Sequence, residues 1–298
     1  MRSSAILIKR NVKLFFKDKG MFFTAFITPA ILLVLYATFL GDVFKDSFLL
    51  TLPKEAQISE GLIDSLVASQ LISSLLAVSC VTISFCANFL MVQDKANGTI
   101  KDLIISPAKS SMISMSYYIA TIISSLLICF TATALCLAYL ATIGFYMSVA
   151  DVFLLFADVI MLVLFGTALS SVINFFLSSQ GQLSAVGTIV SAGYGFICGA
   201  YMPLSSFGDG LQKALAFFPG TYGTSLIRNH SMRGVLSEME KEGLSADTIE
   251  ELKKGLDCNI HFFDNKVNIP TMYLIVGGTI ILLLAVYIAL NALKKKKK

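Results

Sequence analysis

Two acidic residues, Asp151 and Asp158, could do chemistry within a strongly apolar stretch of this sequence. Their separation of seven residues places them on one helical face, about 10 Å apart at 1.5 Å per residue. Asp151 is positioned to cap the start of a helix. Asp158 lies deeper, and a carboxylate inside an apolar segment indicates a functional group such as a coupling-ion ligand. The alternative is that Asp158 lies near the outer interface, where it is either reached by water or hydrogen-bonded to a neighbouring helix.

The remaining reactive residues form no recognisable site. The six cysteines show no CxxC spacing, and the two histidines, His230 and His261, share no motif. We therefore expect no metal, no cofactor and no intrachain disulfide on this chain. The sequence also contains no GxSxG, HExxH or GxxxxGKS/T pattern, so it cannot cradle a nucleotide phosphate as a P-loop does. If ATP drives its activity, the ATPase is a separate polypeptide.

The composition is that of a membrane protein. Of the 298 residues, 56% are hydrophobic and 14% are charged, and the mean hydropathy is +0.77, whereas soluble chains are roughly 25% charged. These values exclude a disordered chain, a disulfide-rich secreted scaffold and a cytosolic enzyme. The net charge is a modest +4, and most basic residues flank apolar segments, so no nucleic-acid partner is expected.

Six apolar segments are long enough to cross a bilayer, which takes about 20 residues in a helix. They are residues 21–40, 66–92, 116–143, 152–177, 183–202 and 272–293. The fifth contains four glycines, so we expect it to be bent or closely packed. The predicted fold class is an all-α integral membrane protein with six transmembrane helices, in a single domain over residues 1–298.

The distribution of Lys and Arg predicts the orientation. Basic residues are concentrated before the first segment, in the loop after the second and in the tail, whereas the loop after the first segment has only Lys45 and Lys54. Because cytoplasmic loops are rich in Lys and Arg, both termini are predicted to be cytoplasmic. No apolar h-region precedes the first segment, so no cleavable signal peptide is expected. The predicted location is the cell membrane, with several crossings.

Residues 4–19 predict a basic amphipathic helix in contact with membrane lipid. Apolar side chains from Ala5 to Phe16 and cations from Lys9 to Lys17 lie on different helical faces, which is typical of a helix at the headgroup boundary. The alternative is a flank that only orients the first span. The pentalysine tail is interpreted as a topological anchor near anionic lipid.

A second, shorter amphipathic helix is predicted in the loop 93–111. Thr99 can cap its N-terminus, Ile100, Leu103 and Ile104 form an apolar stripe, and Pro107 ends it. On a cytoplasmic loop, such a stripe fits a groove on a partner protein. The alternative is an interfacial loop that touches lipid.

This loop resembles the coupling element of type-2 ABC exporter permeases, which have an acidic-basic-acidic cluster, then Gly-Thr, then a Leu and a Pro after their second span. The matching residues are Asp94, Lys95, Gly98, Thr99, Leu103 and Pro107. Ala96 stands where a second acid is usual, and Ser116-Tyr117 stand where a Gly-Lys pair is frequent. The resemblance implies that the loop docks on a separate ATPase, with Leu103 and Ile104 as its apolar anchor.

The resemblance extends along the chain. Residues 1–20 look like the connecting helix of the family, and residues 199–203 and 218–222 are similar to the segment after span five, where a re-entrant or external helical hairpin caps the pathway. The external-gate candidates there are Pro203, Pro219 and Tyr222. Within the external segment 203–271, residues 228–270 are longer and more charged than the family suggests. They are interpreted as a lid, a partner-binding element or a solvated loop.

The resemblance implies the permease subunit of an ATP-driven exporter, in a bacterial cell membrane. Two permeases, identical or sister chains, would enclose the pathway above two ATPase subunits that bind ATP and Mg. A gap between spans two and five would hold a hydrophobic or amphipathic substrate such as a drug, an antimicrobial peptide or a lipid-linked molecule. The pathway candidates are Phe85, Phe89, Thr188, Ser191, Phe196 and Asp158. The alternatives are an ion-coupled secondary transporter or channel that uses Asp158, and a membrane enzyme or sensor.

Overall fold

The computed structural model describes residues 2–51, 58–106, 108–263 and 265–296 and is almost entirely helical. Its α-helices are α1 Arg2–Lys17, α2 Lys19–Leu35, α3 Gly41–Thr51, α4 Glu60–Ala96, α5 Thr99–Ile105, α6 Ser110–Ile143, α7 Val149–Phe176, α8 Gln180–Ile197, α9 Asp209–Leu215, α10 Pro219–Lys241, α11 Ala246–Gly255 and α12 Ile269–Lys296. A 3-10 turn, Leu204–Ser206, precedes α9. The strands β1 His261–Phe262 and β2 Asn265–Lys266 form a short antiparallel hairpin.

Five helical stretches are long and apolar enough to cross a membrane, which supports the predicted all-α membrane class. They are Lys19–Asp46, Glu60–Ala96, Ser110–Ile143, Val149–Phe176 and Ile269–Leu293. The predicted segment 183–202 is not among them. It forms α8, which ends at Ile197 and whose first turn carries Gln180 and Gln182. These glutamines and the glycines of α8 lower its hydropathy below that of the other five.

The long helix α4 forms the centre of the bundle and packs against α2, α6, α7, α8 and α10. Its most apolar window is completely buried. Gly166 of α7 lies so close that an added Cβ would be 2.9 Å from the Cα of Val81. Small residues at such crossings let membrane helices approach closely.

A π-helical turn, Tyr36–Leu40, joins α2 to α3. The Tyr36 hydroxyl donates a hydrogen bond of 2.7 Å to the carbonyl oxygen of Val67 in α4, and its ring stacks on Phe44 at 5.7 Å. The turn is therefore fixed against α4, and Phe48 beyond it packs with Leu62 and Ile63 of α4.

Side-chain contacts bring four helix ends together on one side of the bundle, which we call the α5 side. Lys95, at the end of α4, donates to the carbonyl oxygens of Asn174 and Phe175 at the end of α7, at 2.8 and 2.9 Å. Ser114, near the start of α6, donates to Asn291 Oδ1 near the end of α12 at 2.7 Å. The ends of α4, α7 and α12 and the start of α6 therefore lie on the α5 side.

Helix α10 begins inside the bundle and leaves it on the side opposite α5. The ring of Phe218, just before α10, lies 6.1 Å from that of Phe165, and Gly223 packs against Leu162. Both partners are in the middle or second half of α7. Further along α10, Gly234 lies against the carbonyl of Tyr146, in the loop before α7.

Residues 228–241 belong to the stretch for which a solvated loop was one interpretation, and that interpretation does not fit them. Arg228 is 0% exposed and His230 is 2% exposed. Apolar residues from Met232 to Met239 pack on one side of α10, while its last charged residues remain on the other. The charged residues at the end of α10 that made this segment look soluble therefore lie on one face of the helix, and the opposite face is buried.

Candidate transport groove and coupling helix

A groove with a volume of about 1350 Å³ runs between α2 and α8, with α4 at its base. We call it the α2–α8 groove. Four of the predicted pathway residues line it: Phe89, Thr188, Ser191 and Phe196. Phe85 does not, because its side chain is 2% exposed and lies in the core. Asp158 is also outside the groove.

The groove is mainly apolar. Aliphatic and aromatic side chains of α2, the π turn and α8 form its walls. The hydroxyl of Thr188 donates to the carbonyl of Ser184 in its own helix. Among the described residues that line the groove, the one ionisable carboxyl side chain is Asp18, which accepts a hydrogen bond from the amide of Met21 at the start of α2. The groove thus suits an apolar or amphipathic molecule better than a bare ion.

Asp158 lies in a separate, buried cluster. Its Oδ2 is 2.6 Å from Nδ1 of His230 in α10, and its Oδ1 accepts a hydrogen bond from the hydroxyl of Tyr273 in α12. Asp158 is 1% exposed, and both of its oxygens have partners. The alternative stated for it, a hydrogen bond to a neighbouring helix, therefore describes the structure.

Asp151 is not an N-cap as predicted. Helix α7 begins at Val149, so the cap is Ser148 and Asp151 occupies the third helical position. The two residues form a reciprocal capping box. Asp151 also pairs with Arg233 of α10, so α7 and α10 are joined at both Asp151 and Asp158.

Helix α5, the predicted coupling helix, lies where the sequence pattern predicts it but has a different cap and a different exposed face. Gly98 is its N-cap, not Thr99, and has a φ of +81°, a left-handed conformation that favours glycine. Leu103 is half-buried against the core, whereas Ile104 is 42% and Ile105 is 84% exposed. Ile105 was not among the predicted stripe residues, although it extends the apolar run by one residue. Pro107 lies outside the described residues.

Asp94 and Lys95 hold the base of α5 instead of pointing outward. Asp94 Oδ2 accepts hydrogen bonds from the Tyr117 hydroxyl at 2.5 Å and from Arg10 Nη1 at 2.9 Å. Burial lowers the pKa of Arg10, but the hydrogen bond and charge of Asp94 outweigh it and the pKa is raised overall. Asn11 of α1 donates to Ser116 at 3.3 Å. The Ser116-Tyr117 departure from the family pattern therefore supplies partners for both α1 and α4.

The predicted gate residues separate into two groups. Pro203 lines the groove at its end opposite α5. Pro219 is the first residue of α10, and Tyr222 is 2% exposed and donates to the carbonyl of Ala216 at 2.6 Å. Neither of the last two lines the groove.

A buried ion pair near this end of the groove was not predicted. Arg228 Nη1 lies 3.0 Å from Asp257 Oδ2. Burial raises the pKa of Asp257, and the charge of Arg228 opposes this effect. The pair had no sequence signal, because its members are 29 residues apart. In the part of the chain that the structure describes, no group of three or more His, Cys, Asp or Glu could hold a metal ion.

The sequence model of the family described as "ABC-2 type transporter" matches residues 3–230. This range runs from α1 to the middle of α10 and includes the groove-lining helices and α5. No curated protein is similar enough to the chain to count as a match. Family membership implies association with an ABC ATP-binding subunit. With the match covering more than half of its length, and with apolar helices suited to a membrane, the chain belongs to the ABC-2 type transporter family as a transmembrane permease.

Proposed function

We propose that the protein is the permease subunit of an ATP-driven exporter and that a hydrophobic or amphipathic substrate passes along the α2–α8 groove. The observation that carries this proposal is the groove itself. It is apolar, it runs along the bundle, and four residues expected in the pathway line it. Drugs, antimicrobial peptides and lipid-linked molecules all fit this chemical class.

We propose six membrane crossings, with α8 as the fifth in chain order. The end of α7 and the end of α12 lie on the α5 side, so α12 begins on the opposite side. The chain between α7 and α12 must then change sides once. Helix α10 begins near the middle of α7, beside Leu162 and Phe165, and runs from there towards the side opposite α5. It therefore does not reach the α5 side, which leaves α8 as the crossing. Its 18 residues span about 27 Å at 1.5 Å per residue, close to the ~30 Å hydrocarbon core.

The α5 side is proposed to be cytoplasmic and to dock on the ATPase, which binds ATP and Mg. Ile104 and Ile105 form the exposed apolar part of α5, and the basic helix α1 lies on the same side. A movement of α5 would reach α1, α6 and α7 through the contacts of Asp94 and Lys95. This arrangement supports cytoplasmic termini.

A second permease, identical or a sister chain, is proposed to close the groove. In the single chain, apolar side chains of α2 and α8 beside it are exposed, among them Ile27 at 52% and Ile189 at 69%. The Asp158 cluster offers little support for ion-coupled transport, because both carboxylate oxygens are engaged and the cluster is separate from the groove.

The docking proposal can be tested by purifying the tagged chain from its native membrane in mild detergent. Wild type should retain an ATP-binding subunit, and Ile105→Asp should lose most of it. Val149→Asp is the matched control, because Val149 is 74% exposed but begins α7 on the opposite side. Retention of the ATPase by Ile105→Asp, or its absence from wild type, would contradict the proposal.

A further inference from the structure

One end of the groove is bounded by a short irregular segment, residues 199–205, which we call the rim segment. Tyr201, Met202, Pro203 and Ser205 of this segment line the groove on the side opposite α5. It begins just after α8 and ends within the 3-10 turn. In a permease, such a segment would border the exit.

Arg228 and Asp257 hold the rim segment at both of its ends. Arg228 Nη2 donates to the carbonyl oxygen of Gly199 at 2.6 Å, and Asp257 Oδ2 accepts from the amide of Leu204 at 2.6 Å. The two side chains are joined to each other, and Arg228 Nη2 also lies 3.5 Å from Ser74 Oγ of α4. The rim segment is therefore connected through Arg228 to the central helix.

The local backbone is shaped around this ion pair. Gly199 has a φ of +75°, and a Cβ there would lie 3.1 Å from Asp257 Oδ2. Asp257 itself has a φ of +53°, which is uncommon for a residue other than glycine. Such backbone conformations persist when the surrounding contacts impose them.

The rim segment places Tyr201 across the groove wall. The Tyr201 ring covers Gly195 of α8, where an added Cβ would be 2.4 Å from the ring. Its hydroxyl donates to the carbonyl of Ser191 at 3.2 Å, and its ring centroid lies 5.1 Å from that of Phe196 in an edge-to-face arrangement. Tyr201 therefore narrows the groove at the end where the rim segment lies.

A buried ion pair is weak evidence for stability, because well-packed apolar residues of similar volume are often as stable or more stable. The planar, forked guanidinium of arginine offers a directional geometry that an apolar pair cannot supply. Here that geometry, together with the carboxylate of Asp257, fixes two backbone atoms of the rim segment at once.

We infer that Arg228 and Asp257 are positioning residues that hold Tyr201 over Ser191 and thereby restrict the groove at its outer end. The effect on transport, a limit on the width of molecules that leave, rests on the proposed function. The position of Tyr201 does not depend on that function or on an ATPase.

The test measures how fast a cysteine beneath Tyr201 reacts. Ser191→Cys is introduced into the full chain, and a membrane-impermeant maleimide is added from the outer side of membrane vesicles. Labelling of the chain without Ser191→Cys gives the background from native cysteines, including Cys86 in the groove. The rate is then compared with and without Arg228→Met/Asp257→Leu, a pair of substitutions that leaves no unpaired buried charge.

We expect the chain with Ser191→Cys to be labelled at least about tenfold faster when Arg228→Met/Asp257→Leu is also present. The double variant removes both charged hydrogen bonds to the rim segment, and the loss of one of them already corresponds to about a tenfold change in population. The matched control is Asp158→Leu/His230→Leu, which removes a buried polar contact of α10 that lies away from the groove. It should leave the labelling rate unchanged. A second variant, Gly199→Ala, should also speed labelling while both charged residues remain present.

Equal labelling rates with and without Arg228→Met/Asp257→Leu would overturn the inference, as would an equal increase in the control. If the double variant does not fold, the Gly199→Ala rate decides. The ATPase purification described above is independent of these rates, so failure of the rim inference and failure of the permease proposal are distinguishable.

Discussion

The junction at Asp94 gives the most quantitative prediction, and the perturbation is Tyr117→Phe. Only the hydroxyl is removed, and with it the 2.5 Å hydrogen bond to Asp94 Oδ2. A hydrogen bond to a charged group contributes about 1.5–3 kcal/mol. Asp94 keeps its contact with Arg10. We therefore expect the free energy of unfolding to fall by an amount towards the lower end of this range, about 2 kcal/mol.

The assay combines stability with coupling. Thermal unfolding in detergent should show a midpoint lower by several degrees. The proposed ATP-driven transport should fall because α6 loses its hydrogen bond to Asp94 of α4. Tyr118→Phe is the matched control. Tyr118 is also buried, at 5% exposed, but it stacks on Tyr287 and does not contact Asp94.

A double-mutant cycle makes this prediction specific to Asp94. Tyr117→Phe should cost about 2 kcal/mol in the wild-type chain and less than about 0.5 kcal/mol when Asp94→Ala has already removed the acceptor, since contacting residues are not additive. Equal costs in both backgrounds, or equal effects of Tyr117→Phe and Tyr118→Phe, would refute the reasoning.

Three other features of the structure each give a prediction: the backbone conformation of Gly98, the groove at Ser191 and the contact between Lys266 and Glu250. Gly98→Ala should cost about 1 kcal/mol, because its φ of +81° disfavours a side chain, and should weaken ATPase retention in the purification assay; Gly181→Ala, at a position with open space around it, is the control. Ser191→Trp should fill the groove and abolish transport while the ATPase still copurifies, and transport by this variant would argue against the groove as the pathway. Lys266 lowers the pKa of Glu250 mainly through a hydrogen bond, so this contact stabilises the hairpin above the ordinary pKa of glutamate and is lost as the pH falls through the lowered value. Because the intrinsic rate of amide exchange itself falls on acidification, the measured quantity is the protection factor. The protection factors of residues 261–263, 265 and 266 should therefore fall on acidification, and Lys266→Met should reduce that pH dependence.

The sequence was sufficient for features that depend on local pattern. Apolar length predicted the five long helices, and the loop pattern predicted α5. It was insufficient where the partner is distant: Asp94 and Lys95 were recognised, but contacts of theirs lie 79 to 84 residues away along the chain. It was misleading for α10, because Arg228 and His230 indicate an exposed segment when they are read from the sequence. Folding brings Asp257 and Asp158 next to them, so both can be buried.

The π turn at Tyr36–Leu40 has a consequence for the first crossing. A π turn accommodates one more residue than an α-helical turn, and each residue of an α-helix advances the side chains by about 100°. The turn therefore resets the angular phase of the helix between its two halves. If one residue of the turn were deleted, α3 would rotate by about 100°, and Phe44 and Phe48 would turn away from the positions they now occupy beside α4. Helix α2, before the turn, would keep its register. The surfaces of α2 and α3 can therefore be redesigned, or can diverge, separately.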